Sequence, residues 1–160
     1  MSKHTISVLV ENHSGALSRI AGLFSARGFN ISSLSVAETE DPTLSRMTIV
    51  AVGDNKIINQ ITKQLNKLVD VVKVLDFSEN DCVESELILV TVNAPAAKRA
   101  EIMGIVQIFK GFILAVSLNE MTIELSDTEE KLASFIDLLR PYGIKEIARS
   151  GPIALGKASK

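Results

Sequence analysis

The apolar residues of this chain change period at residues 12–17, and this change constrains the fold more than any other feature. Before the segment, apolar side chains alternate with period two, as in a half-buried strand: Ile6, Val8 and Val10. After it, they recur with the spacing of an amphipathic helix: Leu17, Ile20, Ala21 and Phe24. The segment therefore predicts a strand-to-helix turn, with Gly15 and Ala16 at the start of the helix.

The start of this predicted helix is a candidate anion site. The first N–H groups of a helix have no partner within the helix and carry partial positive charge, so they suit a carboxylate or a phosphate. Gly15 would let a ligand approach the backbone closely, and the amide of Asn12 could hold its polar groups. Both residues are equally compatible with a tight turn and no ligand.

The first half of the chain predicts the order βαββαβ, which is the ferredoxin-like arrangement. The predicted elements are strand 4–10, helix 15–27 ending at Gly28, strand 30–38, strand 45–52, a helix capped by Asp54, and strand 71–77. The second of these strands is expected to begin irregularly, because Ile31 is out of phase with Leu34. The predicted helix after Asp54 has an apolar stripe: Ile57, Ile61, Leu65 and Leu68.

The same order largely recurs after a polar, acidic stretch at residues 78–84, which reads as a linker. The second set comprises strand 87–92, a helix after Pro95, a hairpin of strands 112–118 and 121–125, a helix stopped by Pro141, and strand 142–148. We therefore expect an α+β protein with two tandem ferredoxin-like βαββαβ domains. Residues 1–77 form the first domain and residues 85–160 the second.

The second strand would lie at the edge of a ferredoxin-like sheet. It carries serines but neither Lys nor Pro, so nothing in it discourages pairing with another strand. Pairing of two copies would bring Asn30 of one chain towards the Asn12–Leu17 turn of the other and form a ligand pocket at the dimer seam. The alternative is an edge covered by some other part of the protein.

Composition excludes several classes of function. The net charge of −2 and the aromatic content of 4% disfavour nucleic-acid binding. No apolar run approaches the ~18 residues of a membrane span. Cys82 is the single cysteine, and no Cys/His cluster has metal-ligand spacing. We expect no metal site, and a reducing compartment, most simply the cytoplasm, reached without a leader peptide.

Catalytic patterns are weak, and we expect no catalytic residues. No inward pair of carboxylates is evident, and neither His4 nor His13 is matched with a nucleophile. An RNA-recognition fold would need aromatics in the third strand, and a copper chaperone would need a CxxC turn; neither is present. A small hydrolase of the acylphosphatase type shares the architecture and remains an alternative, although residues 11–17 are poor in the Gly and Arg expected of its phosphate loop.

Several longer segments together identify a resemblance to a known family. They are residues 8–12, 14–20, 27–36, 41–50, 63–74 and 148–151. With these segments the chain resembles the small regulatory subunits of acetohydroxyacid synthase (acetolactate synthase), and its first half is similar to an ACT domain. The second half departs more, with Ala115-Val116 where the family commonly has Asp-Val and Ser126-Asp127-Thr128 where Thr-Gly is usual.

The resemblance implies a non-catalytic subunit that binds and activates a catalytic subunit dependent on thiamine diphosphate. Thiamine diphosphate, Mg and FAD are then expected only in that partner. It also implies a homodimer through the ACT domains and feedback inhibition by a branched-chain amino acid, commonly valine. The implied effector site combines residues of one chain (Asn12, Gly15, Ala16 and Leu17) with residues of the other (Asn30 and Ile31). A free amino-acid-sensing module with a different partner is the alternative.

Overall fold

The computed structural model describes residues 2–77 and 82–157. These residues form two compact units. The first runs from the start of the chain to Glu84 and includes the C-terminal stretch from Pro152 onward, and the second is Ser85–Gly151. Among the described residues, no helix combines the length and the apolar character needed to cross a lipid bilayer.

The first unit has the predicted ferredoxin-like order. Its elements are β1 (Ser2–Glu11), α1 (Ala16–Ala26), β2 (Asn30–Glu38), β3 (Leu44–Gly53), α2 (Asn55–Asn66) and β4 (Val71–Asp76). The sheet is antiparallel with strand order β2-β3-β1-β4, so β2 is an edge strand, as predicted. The expected irregularity in β2 is confirmed by a register shift between Ile31 and Ser33.

Both helices of the first unit pack on one face of its sheet. Buried apolar residues of the two helices meet alternate residues of β1 and β3: Ile20, Phe24, Ile58, Ile61, Leu65, Ile6, Val8, Val10, Met47, Ile49 and Ala51. Asp54 caps α2 as predicted, because its side chain accepts a hydrogen bond from the Lys56 N–H at 2.8 Å. All four residues of the predicted stripe pack on this core, with Ile61 and Leu65 buried and Ile57 and Leu68 partly buried. The prediction omitted Ile58, which is buried as well.

The second unit repeats the order, which confirms the expected pair of βαββαβ folds. Its elements are β5 (Cys82–Asn93, of which residues 82–84 group with the first unit), α3 (Ala96–Phe109), β6 (Phe112–Val116), β7 (Glu120–Asp127), α4 (Glu129–Leu139), a 3₁₀ turn (Arg140–Tyr142) and β8 (Ile144–Arg149). The strand order is β6-β7-β5-β8. The apolar residues predicted to face inward from α4 are all buried: Leu132, Phe135, Ile136 and Leu139. In the second sheet, β6 has the edge position that β2 has in the first.

Two details of the predicted domain limits need correction. Residues 82–84, expected in the linker, belong to β5, while residues 78–81 of that linker lie outside the described residues. Residues from Pro152 onward, expected in the second domain, group with the first unit and form β9 (Ile153–Gly156). The Ala154 N–H donates to Thr48 Oγ1 at 3.4 Å. Thr48 alternates with the core residues of β3, so β9 lies against the face of the first sheet that the helices leave open.

Candidate functional site

The turn between β1 and α1 leaves the start of α1 without a cap. Gly15 occupies the N-cap position with φ of 85°, and no side chain caps the helix. Ala16 N–H donates to the His13 carbonyl at 3.3 Å. Within the described part of the chain, the N–H groups of Leu17 and Ser18 donate to no acceptor. Two donors at the positive end of a helix therefore face outward at the predicted position.

Gly15 is required chiefly by the backbone. A φ of 85° is left-handed, where any other L residue is strained. A Cβ at this position would lie 3.3 Å from Arg19 Nη1. The Arg19 side chain is 49% exposed, so its guanidinium, which is ion-paired with Asp70, has room to shift. The left-handed conformation is therefore the main reason for a glycine here.

Asn12 is positioned by contacts that the sequence did not reveal. Its Nδ2 donates to Glu38 Oε1 at 3.1 Å and to the Pro42 carbonyl at 3.2 Å. Its main-chain N–H donates to the Thr43 carbonyl at 2.7 Å. Both of these side-chain bonds use Nδ2, so Asn12 Oδ1 is the atom of this amide that can accept a hydrogen bond from a ligand. Glu38 is therefore part of the site. It lies at the end of β2, level with the end of β1, and this position is the signal that could have identified it.

The six predicted site residues fall into two groups within one chain. Asn12, Gly15, Ala16 and Leu17 lie together at the end of β1, where Ser45 pairs with both Val10 and Glu38. Asn30 and Ile31 begin β2 at the opposite end of the sheet, where Asn30 pairs with Val52. Asn30 and Glu38 are eight steps apart along the strand, which is roughly 27 Å. One copy of the chain does not place all six residues around one ligand.

Three potential metal ligands also meet beside the turn. One ligand atom from each of Glu11, His13 and Asp70 lies within 4.8 Å of the others. Asp70 is ion-paired with Arg19, and His13 Nε2 lies 2.8 Å from Glu11 Oε2. The sequence did not reveal this group, because Asp70 is distant along the chain and is brought close where the Glu11 N–H donates to its carbonyl at 2.7 Å. The Arg19–Asp70 ion pair and the contact between His13 and Glu11 account for the arrangement of all three side chains.

The β2–β3 turn next to Asn12 is fixed by Asp41. The Asp41 carboxylate accepts hydrogen bonds from the Thr43 hydroxyl at 2.7 Å and from the Thr43 N–H at 3.0 Å. These bonds stabilise the charged carboxylate, so they lower the pKa of Asp41 from its ordinary value. The same turn supplies the two carbonyls, of Pro42 and Thr43, that hold Asn12.

Comparison with known proteins gives the same family for both halves of the chain. A family model described as the small subunit of acetolactate synthase matches residues 85–158, and one described as the AHAS small subunit-like ACT domain matches residues 6–73. A probable acetolactate synthase small subunit of Archaeoglobus fulgidus is 52% identical over 158 residues, covering 99% of both chains. The acetolactate synthase small subunit of Haemophilus influenzae is 50% identical over 159 residues, covering 99% of this chain and 98% of that one. The crystal structure of the small subunit from Thermotoga maritima superposes with a TM-score of 0.90 at 41% identity, covering 100% of each chain.

Proposed function

The chain belongs to the family of acetolactate synthase small subunits, and we propose that it is a regulatory subunit that activates the catalytic subunit and makes it sensitive to valine. The reaction itself, with its thiamine diphosphate, Mg and FAD, takes place in the catalytic partner, in the cytoplasm. The observation that carries the proposal is the uncapped, glycine-opened start of α1 in the domain that has β2 as an edge strand.

Antiparallel pairing of two β2 edges is the step that unites the two groups of site residues. In such a pair, the Asn30 end of one strand lies beside the Glu38 end of the other. Glu38 is hydrogen-bonded to Asn12 of its own chain, so Asn30 and Ile31 come next to the partner copy's turn. A two-fold axis produces two equivalent pockets, each made from two chains.

The chemistry of this pocket fits a small apolar α-amino acid. The N–H groups at the start of α1 donate to the carboxylate, and the helix dipole favours its negative charge. Asn12 Oδ1 and the Glu38 carboxylate, both acceptors, suit the α-ammonium group. Leu17, which is 40% exposed, and Ile31 offer apolar surface to the isopropyl group. Asn30 contributes a second amide from the other chain.

Feedback inhibition follows if valine stabilises one arrangement of the dimer and the catalytic subunit is activated by another. A ligand shifts such an equilibrium only by the difference in its affinity for the two states. Couplings of this kind are about 1–3 kcal/mol, which corresponds to a change of about 5- to 150-fold in the affinity of one site when the other is occupied.

The experiment that tests the site compares Gly15→Asp with Gly15→Asn. Both substitutions place a side chain of nearly the same size on the left-handed backbone, and only the first adds a negative charge where the carboxylate binds. The variants are reconstituted with the cognate catalytic subunit, and synthase activity is titrated with valine. We expect Gly15→Asp to raise the valine concentration for half-inhibition at least tenfold above that of Gly15→Asn. Activation of the catalytic subunit remains in both.

The controls separate this proposal from the alternatives. Isothermal titration of the purified chain should show saturable heat with L-valine and none with L-lysine. Undiminished valine inhibition in Gly15→Asp would overturn the site. Hydrolysis of a simple acyl phosphate by the chain alone would instead support a hydrolase. Copurification with a large enzyme that lacks thiamine diphosphate would indicate a sensor module for a different partner.

A further inference from the structure

The second unit has an open apolar edge that the proposed function does not use. β6 pairs with β7 on one side only, and in the described part of the chain its other side has no strand partner. Four large apolar side chains in and just after β6 are more than half exposed: Phe112 at 67%, Leu114 at 54%, Val116 at 55% and Leu118 at 87%. Phe112 pairs with Glu124 and Val116 with the buried Met121, so these two side chains stand on opposite faces of the sheet, and the exposed row of backbone donors and acceptors runs between them.

This edge lacks the features that keep edge strands from pairing. Residues 112–118 contain no charged residue and no proline. Natural edge strands are usually blunted by lysine, by proline or by a covering segment, because an uncovered apolar edge templates aggregation. The strand has a register shift between Ile113 and Ala115, but this irregularity leaves Leu114 exposed rather than hidden. The edge is therefore built to be covered.

We propose that a second copy of this chain covers it, by antiparallel pairing of β6 with β6 about a two-fold axis. Such pairing brings residues near the centre of the strand beside their own counterparts, so a charge there would meet a like charge. Residues 112–118 carry no charge, so pairing about this axis brings no like charges together. Its central residues, Leu114 and Ala115, place apolar groups at the axis.

The exposed area indicates how this contact works in the assembly. The four side chains stand on both faces of the sheet, so edge pairing covers only part of their surface, whereas a stable interface buries about 800 Å² on each partner. Pairing through β6 therefore needs a further contact between copies. The β2 pairing of the proposed function is one source of that contact, so a test must separate the two edges.

The self-association of full-length variants, each with a lysine at one position, tests the β6 edge and the β2 edge separately. Leu114→Lys places at the β6 edge the residue type that natural edges use to block pairing, and Leu34→Lys does the same at β2. Leu138→Lys is the matched control, since Leu138 lies on α4 and is 48% exposed, close to the 54% of Leu114. Sedimentation velocity over a range of protein concentrations gives the dissociation constant of each variant. We expect Leu114→Lys to weaken self-association at least tenfold and Leu138→Lys to leave it within about threefold.

The pattern of results distinguishes the two edges. If Leu34→Lys weakens self-association and Leu114→Lys matches the control, the β6 inference fails and the β2 pairing stands. If only Leu114→Lys weakens it, β6 pairing is supported and the β2 pairing of the proposed function fails. Circular dichroism of each variant checks that the lysine has not unfolded the chain.

Hydrogen exchange of the unmodified chain tests the same inference without a substitution. The peptide covering residues 112–118 should exchange more slowly at high protein concentration than at low concentration, because β6 pairing protects its outward N–H groups. Exchange that is independent of chain concentration overturns the inference. Protection that develops only after the catalytic subunit is added also overturns it, and identifies that subunit as the occupant of the edge.

Discussion

Gly53→Ala tests how tightly Phe29 is held in the first unit. Gly53 ends β3, and a Cβ at this position would lie 1.9 Å from Phe29 Cε1 and 2.4 Å from Phe29 Cζ. The Phe29 ring is 7% exposed and packs edge-to-face on the fully buried Phe24, with ring centroids 6.4 Å apart. The ring would have to move by about 1.5 Å to regain ordinary van der Waals contact, and Phe24 blocks part of that movement.

The expected loss in the free energy of unfolding of Gly53→Ala follows from overpacking of a buried core. Inserting a methyl group into a well-packed site costs about 1–3 kcal/mol. Alanine gains back about 0.5–1 kcal/mol over glycine within a strand, because glycine loses more backbone entropy on folding. Since the overlap here is severe, we expect Gly53→Ala to lower the free energy of unfolding of the first unit by about 2 kcal/mol. Phe29 directly precedes Asn30, so the valine concentration for half-inhibition should rise as well.

Gly22→Ala is the matched control for this prediction. Gly22 lies within α1, and a Cβ there meets no atom within 4 Å. This substitution should stabilise the first unit by about 0.5–1 kcal/mol, since glycine is a poor helix former. The same chemical change is therefore expected to have opposite signs at two positions of one unit.

Urea denaturation followed by circular dichroism measures the stability, and hydrogen exchange assigns each transition to its unit. Phe29→Leu in the Gly53→Ala background makes room for the new methyl group. The double variant should therefore be at least about 1 kcal/mol more stable than the sum of the single effects predicts. If Gly53→Ala is as stable as the unmodified chain, or if the two effects simply add, the reasoning about Phe29 is refuted.

Two further predictions concern turns in the two units. Arg99 Nη2 donates to three main-chain carbonyls, including those of Ser117 and Leu118. Arg99→Met should therefore destabilise the second unit by about 2 kcal/mol in urea denaturation and speed hydrogen exchange of the turn at residues 117–118. Unchanged exchange in this turn would contradict the role of Arg99. Thr43→Val removes the hydroxyl donor that contributes most to lowering the pKa of Asp41, so an NMR titration should show that pKa rising towards its ordinary value. Because the folded-state pKa of Asp41 is lowered, the stability that its carboxylate contributes is present above the ordinary pKa and is lost as the pH falls through the lowered value. An Asp41 pKa that stays equally low in Thr43→Val would show that the Thr43 hydroxyl does not cause the shift.

Features encoded by local period and turn chemistry could be predicted from the sequence. The bounds of β2 at Asn30 and Glu38 follow from a glycine stop before the strand and an Asp-Pro turn after it. The irregularity near Ile31 follows from the phase of its apolar residues, and the cap at Asp54 from the helix pattern after it. Each of these signals lies within a few residues of the feature that it determines.

Features that depend on distant contacts could not be predicted. The four residues of β9 offer too few alternations to be recognised as a strand. The strand pairs with β5, and its Ala154 N–H donates to Thr48, which is 106 residues away. The bond from Asn12 to Glu38 spans 26 residues and joins two elements whose relative position only the sheet determines. Ile57 and Ile58 are adjacent isoleucines, and the sequence does not decide which of them faces the core more fully.

The location of the site groups at opposite ends of β2 has a thermodynamic consequence in the proposed dimer. Neither chain alone carries a complete pocket, so a valine molecule bound at the seam contacts Asn12 of one copy and Asn30 of the other. Binding to the dimer but not to the monomer stabilises the dimer by mass action, and the apparent valine affinity is the intrinsic affinity multiplied by the fraction of chain that is paired. A residue that only strengthens pairing, such as one in the β6 edge, would then tune valine sensitivity without touching valine. If the proposed dimer forms, regulation and assembly are one equilibrium, coupled through an edge strand that carries neither Lys nor Pro.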